Sequence, residues 1–216
     1  MADAVFVDRS TPKTVSSTQI GVTQATHQAG DLLIGLLSVD GNYDGTMTIS
    51  QSGWTFIYNR GDGAGTVGHG MAVAWKIATG TSDPLTFVWG SSETAIARMV
   101  SIRDHGVTVD SDIKRSVVLG SGTSANFTSL TGLATATNWL GIAWATGNRA
   151  DRNVSAGSTG WSNFLATTTG STTSGQASAY QDRAYSSGTS TISASSLTRA
   201  STDVFFDVLL AVPGEA

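Results

Sequence analysis

Met71-Ala72-Val73-Ala74-Trp75-Lys76-Ile77 places large side chains at every second position, Met71, Val73, Trp75 and Ile77, with small or polar ones between. Successive residues of a β-strand face opposite ways, so this spacing reads as a strand with one face on a core. Asp31-Leu32-Leu33-Ile34 upstream and Leu85-Thr86-Phe87-Val88-Trp89 downstream are short apolar runs bounded by Gly, Ser, Thr and Asp. Such runs read as further strands joined by turns.

The pattern recurs along the chain. The two Gly-Trp pairs, Gly53-Trp54 and Gly160-Trp161, stand 107 positions apart in a chain of 216 residues. At the same shift Asp31-Leu32-Leu33-Ile34 falls on Asn138-Trp139-Leu140-Gly141, Lys76 on Arg183, and Met99 to Ile102 on Phe206 to Leu209. Self-similarity at a fixed period is the mark of a repeated unit, so the reading is an internal duplication of about 107 residues, with pseudo-repeats 1–107 and 108–216. Strands are expected around 4–7, 15–22, 31–39, 47–49, 54–58, 71–77, 85–89 and 95–102 in the first copy. Those of the second are expected around 116–119, 139–145, 161–165, 177–184, 190–193 and 204–212. Gly90-Ser91-Ser92 is read as a turn separating two of them.

The expected fold is all-β: an antiparallel, two-sheet β-sandwich with jelly-roll-like connections, residues 1–216 forming one body. Two small sandwiches in tandem are the alternative. The junction near 104–121 holds no proline and no long low-complexity spacer, which favours the single body.

Only 13% of residues are charged, and Gly, Ser and Thr take the places that Lys and Glu usually fill. A net charge of −4, with the basic residues scattered, argues against a nucleic-acid footprint. Without cysteine there are neither disulfides nor thiolate metal sites. The N-terminal Met1-Ala2-Asp3-Ala4-Val5 lacks the pattern of a signal peptide, and no apolar run reaches membrane-spanning length. The expectation is synthesis in a host cytoplasm, with no membrane partner.

Motifs for chemistry are sparse. Asp40-Gly41-Asn42-Tyr43-Asp44-Gly45 copies the start of a calcium loop, but Gln51 stands where a bidentate Glu is needed, so it is read as a turn and no metal is assigned. Arg60-Gly61-Asp62 and the acceptor tripeptides at Asn126 and Asn153 are short enough to arise by chance. His27, His69 and His105 are far apart in sequence and read as solvated. Acid pairs that could serve a glycosidase, Asp83 with Glu93 or Asp110 with Asp112, read as turn residues. No catalytic residue and no cofactor are assigned, and the chain is read as not an enzyme. Trp54, Trp75, Trp139, Trp144 and Trp161 are expected in the core, leaving Trp89 and Tyr43 as candidate exposed aromatics for glycan contact.

The series Ala29-Gly30-Asp31-Leu32-Leu33-Ile34, Ser52-Gly53-Trp54-Thr55, Ala74-Trp75-Lys76-Ile77-Ala78-Thr79-Gly80 and Leu85-Thr86-Phe87-Val88-Trp89, continued by Gly160-Trp161-Ser162 and the run ending at Val212-Pro213-Gly214, resembles β-sandwich modules of tailed-phage virion proteins. These include capsid decoration or cement proteins, head fibres and tail appendages. The resemblance implies a non-enzymatic virion protein on the outer capsid surface, with the major capsid protein or another virion protein as partner. A homo-oligomer is implied as well, a trimer preferred. The alternative is a receptor- or glycan-binding module of a fibre or tail. Ala4, Val5, Phe6 and Val7, a short apolar strand, are the candidate assembly contacts, and removal of residues 1–8 is expected to leave the sandwich folded.

Overall fold

The structure, a computed structural model, describes residues 2–40, 47–62, 68–124, 127–135, 137–148, 154–156, 160–170, 175–193 and 197–215. The first half of the chain forms β1 (Val5–Arg9), β2 (Lys13–Gly21), β3 (Leu32–Asp40), β4 (Thr48–Ile49), β5 (Thr55–Asp62), β6 (His69–Ile77) and β7 (Thr86–Arg103). After a 3-10 turn at Asp110–Asp112 come β8 (Lys114–Ser124), β9 (Leu130–Thr131), β10 (Trp139–Gly147), β11 (Val154–Ala156), β12 (Ser162–Gly170), β13 (Gly175–Tyr185), β14 (Thr191–Ile192) and β15 (Leu197–Pro213). All strand pairings are antiparallel.

Each half supplies its own sheet. The first runs β1-β7-β3-β6-β5, with β2 also on β7; the second runs β15-β10-β13-β12, with β8 on the outer side of β15. Leu32 opens β3 and Trp139 opens β10, 107 positions apart, but Leu32 faces the central core and Trp139 the outer one, so the 107-residue shift does not keep register between these strands. Gly53 and Gly160, the glycines of the two Gly-Trp pairs, both sit at φ 84°. That left-handed conformation is open to glycine at little cost, which gives the repeated glycine a local reason.

The sheets pack face to face, β3 against β10, β13 against β7, and β15 against β6. Leu32, Ile34 and Leu36 meet Leu140, Ile142, Trp144, Phe206 and Val208 in the central core. The alternate residues of β3, Leu33 and Leu37, belong to an outer core with Ile20, Phe87, Trp89 and Met99. A matching outer core behind the second sheet gathers Phe127, Leu130, Trp139, Ala143 and Leu209. β3 and β10 are therefore buried on both faces, which explains why they read as continuous apolar runs.

β7 is one strand where two were expected. Ser17 pairs with Glu93 and Gln19 with Val88, so Trp89 to Ser92 bulge out against the single residue Thr18. Gly90-Ser91-Ser92 marks a bulge within a strand rather than a chain reversal.

Candidate functional site

The bulge decides the fate of Trp89. Its indole turns into the first outer core and is 3% exposed, so Trp89 is no glycan platform, contrary to the sequence expectation. Tyr43 lies outside the described residues. Trp54 and Trp161 are half-buried lids, packed on the two outer cores rather than within them, and Trp54 Nε1 donates to Pro84 O at 3.0 Å.

The histidines are not solvated as expected. His69 is fully buried and His27 nearly so, because both sit where polar partners converge. His69 Nε2 lies 2.6 Å from Thr146 Oγ1 across the sandwich. With its oxygen turned towards His69, Gln176 accepts from His69 Nδ1 (3.3 Å) and Asp40 N (3.0 Å), and donates to Gly147 O (3.2 Å) and to Ser38 Oγ. His27 Nδ1 pairs with Ala25 O at 2.7 Å, and His105 Nε2 lies 3.0 Å from Gly30 O.

The acids are largely held by neighbours. Asp31 receives both arms of Arg103 at 2.9 Å. Burial raises its pKa, but the Arg103 hydrogen bonds, the Gln28 N–H and the Arg103 charge outweigh that and hold it below the usual range. Asp83 is buried beside Lys76 Nζ at 2.6 Å. There too burial is outweighed, by Lys76 and by the Thr79 hydroxyl and N–H, and the pKa falls. Asp112 accepts from Thr108 N, Thr108 Oγ1 and Val109 N, Asp110 is 3.7 Å from Arg115, and Glu93 accepts from Ser91 Oγ. Of the calcium-like loop, residues 41–46 lie outside the described residues, and Asp40 Oδ1 accepts from the Asn148 amide.

A second buried charge sits on β7. Arg98 has no exposed surface. Its guanidinium carbon lies 5.4 Å from the Trp144 ring and 5.7 Å from the Tyr180 ring, an arrangement in which the π-faces offset part of the lost hydration. Burial lowers its pKa to about 10. Next to it, Tyr180 Oη donates to Asp182 Oδ2 at 2.9 Å, and Asn163 Nδ2 reaches both oxygens of that carboxyl at 3.0 Å. Asn163 holds this position at φ 54°, a strained backbone for a side-chain-bearing residue, at the bulge between Ser162 and Leu165. Burial outweighs those hydrogen bonds and raises the pKa of Asp182.

Asp182 forms part of a cleft of about 390 Å³ between the N-terminal segment and the edge of the second sheet. Asp3, Ala4, Val5 and Phe6 form one wall; Leu140, Gly160, Ser162, Asp182, Arg183 and Ala184 form the rest. Three of the four expected assembly residues thus line a cleft within the chain. Ala4 is buried in the central core, Phe6 packs against it, and the Phe6 ring lies 6.4 Å from that of Tyr180. Val5, at 47% exposed, is the outward residue. Removing residues 1–8 takes the buried Ala4 and most of the β1–β7 pairing from the central core.

The edge that sequence reading passed over is β8. It pairs with β15 along one side, and its other side has no strand partner among the described residues. From Ser116 to Ser124 it carries no charge and no proline. Leu119 is 39% exposed, and Val109, just before the 3-10 turn that leads into β8, is 52% exposed. The corresponding edge of the first sheet is broken into β1 and β2 by Ser10-Thr11-Pro12. The long apolar-polar run could have been found in the sequence; its place at a sheet edge could not.

No protein-family model matches the chain, no curated protein is significantly similar to it, and no solved structure matches it.

Proposed function

We propose that this protein is a non-enzymatic structural component of a tailed-phage virion, a capsid decoration protein, and that it docks on the shell through the free edge of β8. The observation that carries this reading is the edge itself: eleven residues long, continuous, uncharged over most of its length, with an apolar side chain facing out. Edge strands of that kind pair readily with other chains, and natural proteins blunt them with proline, charge or a bulge unless they are used. The first sheet has such a blunting residue, Pro12, whereas on β8 the charges Lys114 and Arg115 are confined to the first two residues and the pairing irregularity with β15 to the far end.

Two further features support a structural role. Chemistry-bearing acids are held in local pairs, Asp31 by Arg103 and Asp83 by Lys76, which fix the connections around the sheets. The segments at 104–106, 138 and 213–215 are also tied together, Gly106 N donating to Pro213 O, Gly214 N to Asn138 O and Glu215 N to Asp104 O. On this reading the two sheets descend from one duplicated unit, and three copies gather at three-fold positions of the shell.

Hydrogen exchange with and without capsid particles tests the proposal. Amides of β8 that point away from β15 should gain protection on binding. Unchanged exchange along β8 in a particle-bound sample would rule out this docking edge.

A further inference from the structure

The cleft at Asp182 can be compared with the matching place in the first half of the molecule. The 107-residue shift, which sets β6 on β13 with the same residues facing the central core, places Asp182 on Trp75 and Ala184 on Ile77. Trp75 and Ile77 are both packed against the central core. At the same points of the second sheet the chain carries a carboxylate and a methyl group, and a cleft of about 390 Å³ stands there. Two bulky side chains seal one site; two short ones open the other.

What remains is built in the manner of a binding pocket, largely apolar with a few placed polar groups. Phe6, Leu140, Val5 and Ala184 supply apolar surface, while Asp182, Ser162, Arg183 and Asp3 supply acceptors and donors. The Asp182 carboxyl does not swing freely. Tyr180 and Asn163 hold it, and Asn163 does so from a strained backbone, the kind of cost that persists where surrounding structure fixes a functional geometry. Asp182 is nine-tenths buried or more, so hydrogen bonds to it form in a site of low dielectric.

We propose that this cleft binds one saccharide unit. A pyranose presents ring C–H groups that can lie against Phe6 and Leu140, and vicinal hydroxyls that can donate to a fixed carboxylate and accept from Ser162 and Arg183. Asp3 opposes an anion, and Arg183 on the facing wall offsets only part of that charge. A purely apolar ligand would strip water from Asp3, Ser162 and Arg183 without replacing it, at a desolvation cost. The proposal concerns a different face from the β8 edge, so loss of capsid docking and loss of sugar binding are separable.

The test is chemical-shift mapping of the full chain titrated with glucose, galactose, mannose, rhamnose and N-acetylglucosamine in turn. At least one should move the amide signals of Ser162, Asp182, Arg183 and Ala184 in a saturable way. Asp182→Trp, which restores the arrangement at Trp75, should abolish the response. Ala184→Trp closes the mouth from an exposed position and serves if the first variant fails to fold. No saturable shift at these amides with any of the five sugars, or a response that survives in a folded cleft-filling variant, would overturn the proposal.

Discussion

His69 and Gln176 touch across the sandwich, His69 Nδ1 lying 3.3 Å from the Gln176 amide, and they are 107 residues apart. That is the spacing of the two Gly-Trp pairs. The hydrogen bonds there join β3, β6, β10 and β13. His69→Ala removes one hydrogen-bond partner from Thr146, which keeps Phe206, and one from Gln176, which keeps Asp40 and Gly147, and a lost buried hydrogen bond costs about 0.5–1.5 kcal/mol. His69→Gln keeps an amide partner and should lose less than half as much. Urea unfolding of both variants checks this; equal losses would show that volume, not hydrogen bonding, holds the seam.

Arg98 is fully buried against Trp144 and Tyr180 of the central core. A buried cation held by aromatic faces contributes little net stability once its desolvation is counted, whereas removing its partner exposes the full cost. Arg98→Met should therefore leave stability within about 1 kcal/mol of the parent, or raise it. Trp144→Leu should cost about 3–5 kcal/mol, combining a lost aromatic with an uncompensated charge. Thermal unfolding of the two variants separates them, and the reverse order would refute this account of Arg98.

Acid titration should show two opposed contributions. Asp31 and Asp83 have folded pKa values below their ordinary 3.8, so their stabilisation is present above that pH and is lost as pH falls through the lowered values. Asp182 has a raised value. Its contribution is complete below 3.8 and declines as pH rises through the folded value. The stability of Asp182→Asn relative to the parent should accordingly increase from acid to neutral pH. A pH-independent difference between the two proteins would mean that the carboxyl is not desolvated in the folded state.

The lid position of the repeated tryptophans sets a smaller cost than full burial would. Fully buried large aromatics lose about 3–5 kcal/mol on truncation to alanine. Trp54→Ala and Trp161→Ala, each on the rim of an outer core, should lose about 2 kcal/mol, by scaling that figure to half-burial. Chemical denaturation decides; a loss of about 4 kcal/mol or more at either site would place that indole inside the core.

Much of the fold was legible because period-2 spacing and turn residues are local signals. β6 and β10 were located from their own residues, whereas the 107-residue shift keeps faces between β6 and β13 but puts β3 out of step with β10. The bulge in β7 was not legible, since Gly90-Ser91-Ser92 suits a turn as well as a bulge, and only pairing with β2 distinguishes them. Trp89 was misplaced for that reason. Arg98 and Asp182 were passed over and His69 was misread as solvated because the partners that bury them, Trp144 and Tyr180 for Arg98, Asn163 for Asp182 and Gln176 for His69, lie on other strands. Burial of a polar residue is a property of the assembled sheets and leaves no pattern in the neighbouring sequence. The β8 edge was missed because edge position depends on topology.

The central claim, the proposed docking on a capsid through β8, is tested most directly by co-sedimentation with tailed-phage virions. The parent protein is compared with Leu119→Lys and Ser121→Pro, which place a charge and a proline on an edge whose outer side has no strand partner among the described residues. Substitutions at such exposed positions usually change stability by no more than about 0.5 kcal/mol when no ladder hydrogen bond is lost, and circular dichroism confirms that each variant is folded before it is mixed. The account predicts that the parent sediments with the particles at a saturable stoichiometry and that both folded variants remain in the supernatant. A parent that does not bind the particles, or variants that bind as well as the parent, would contradict it.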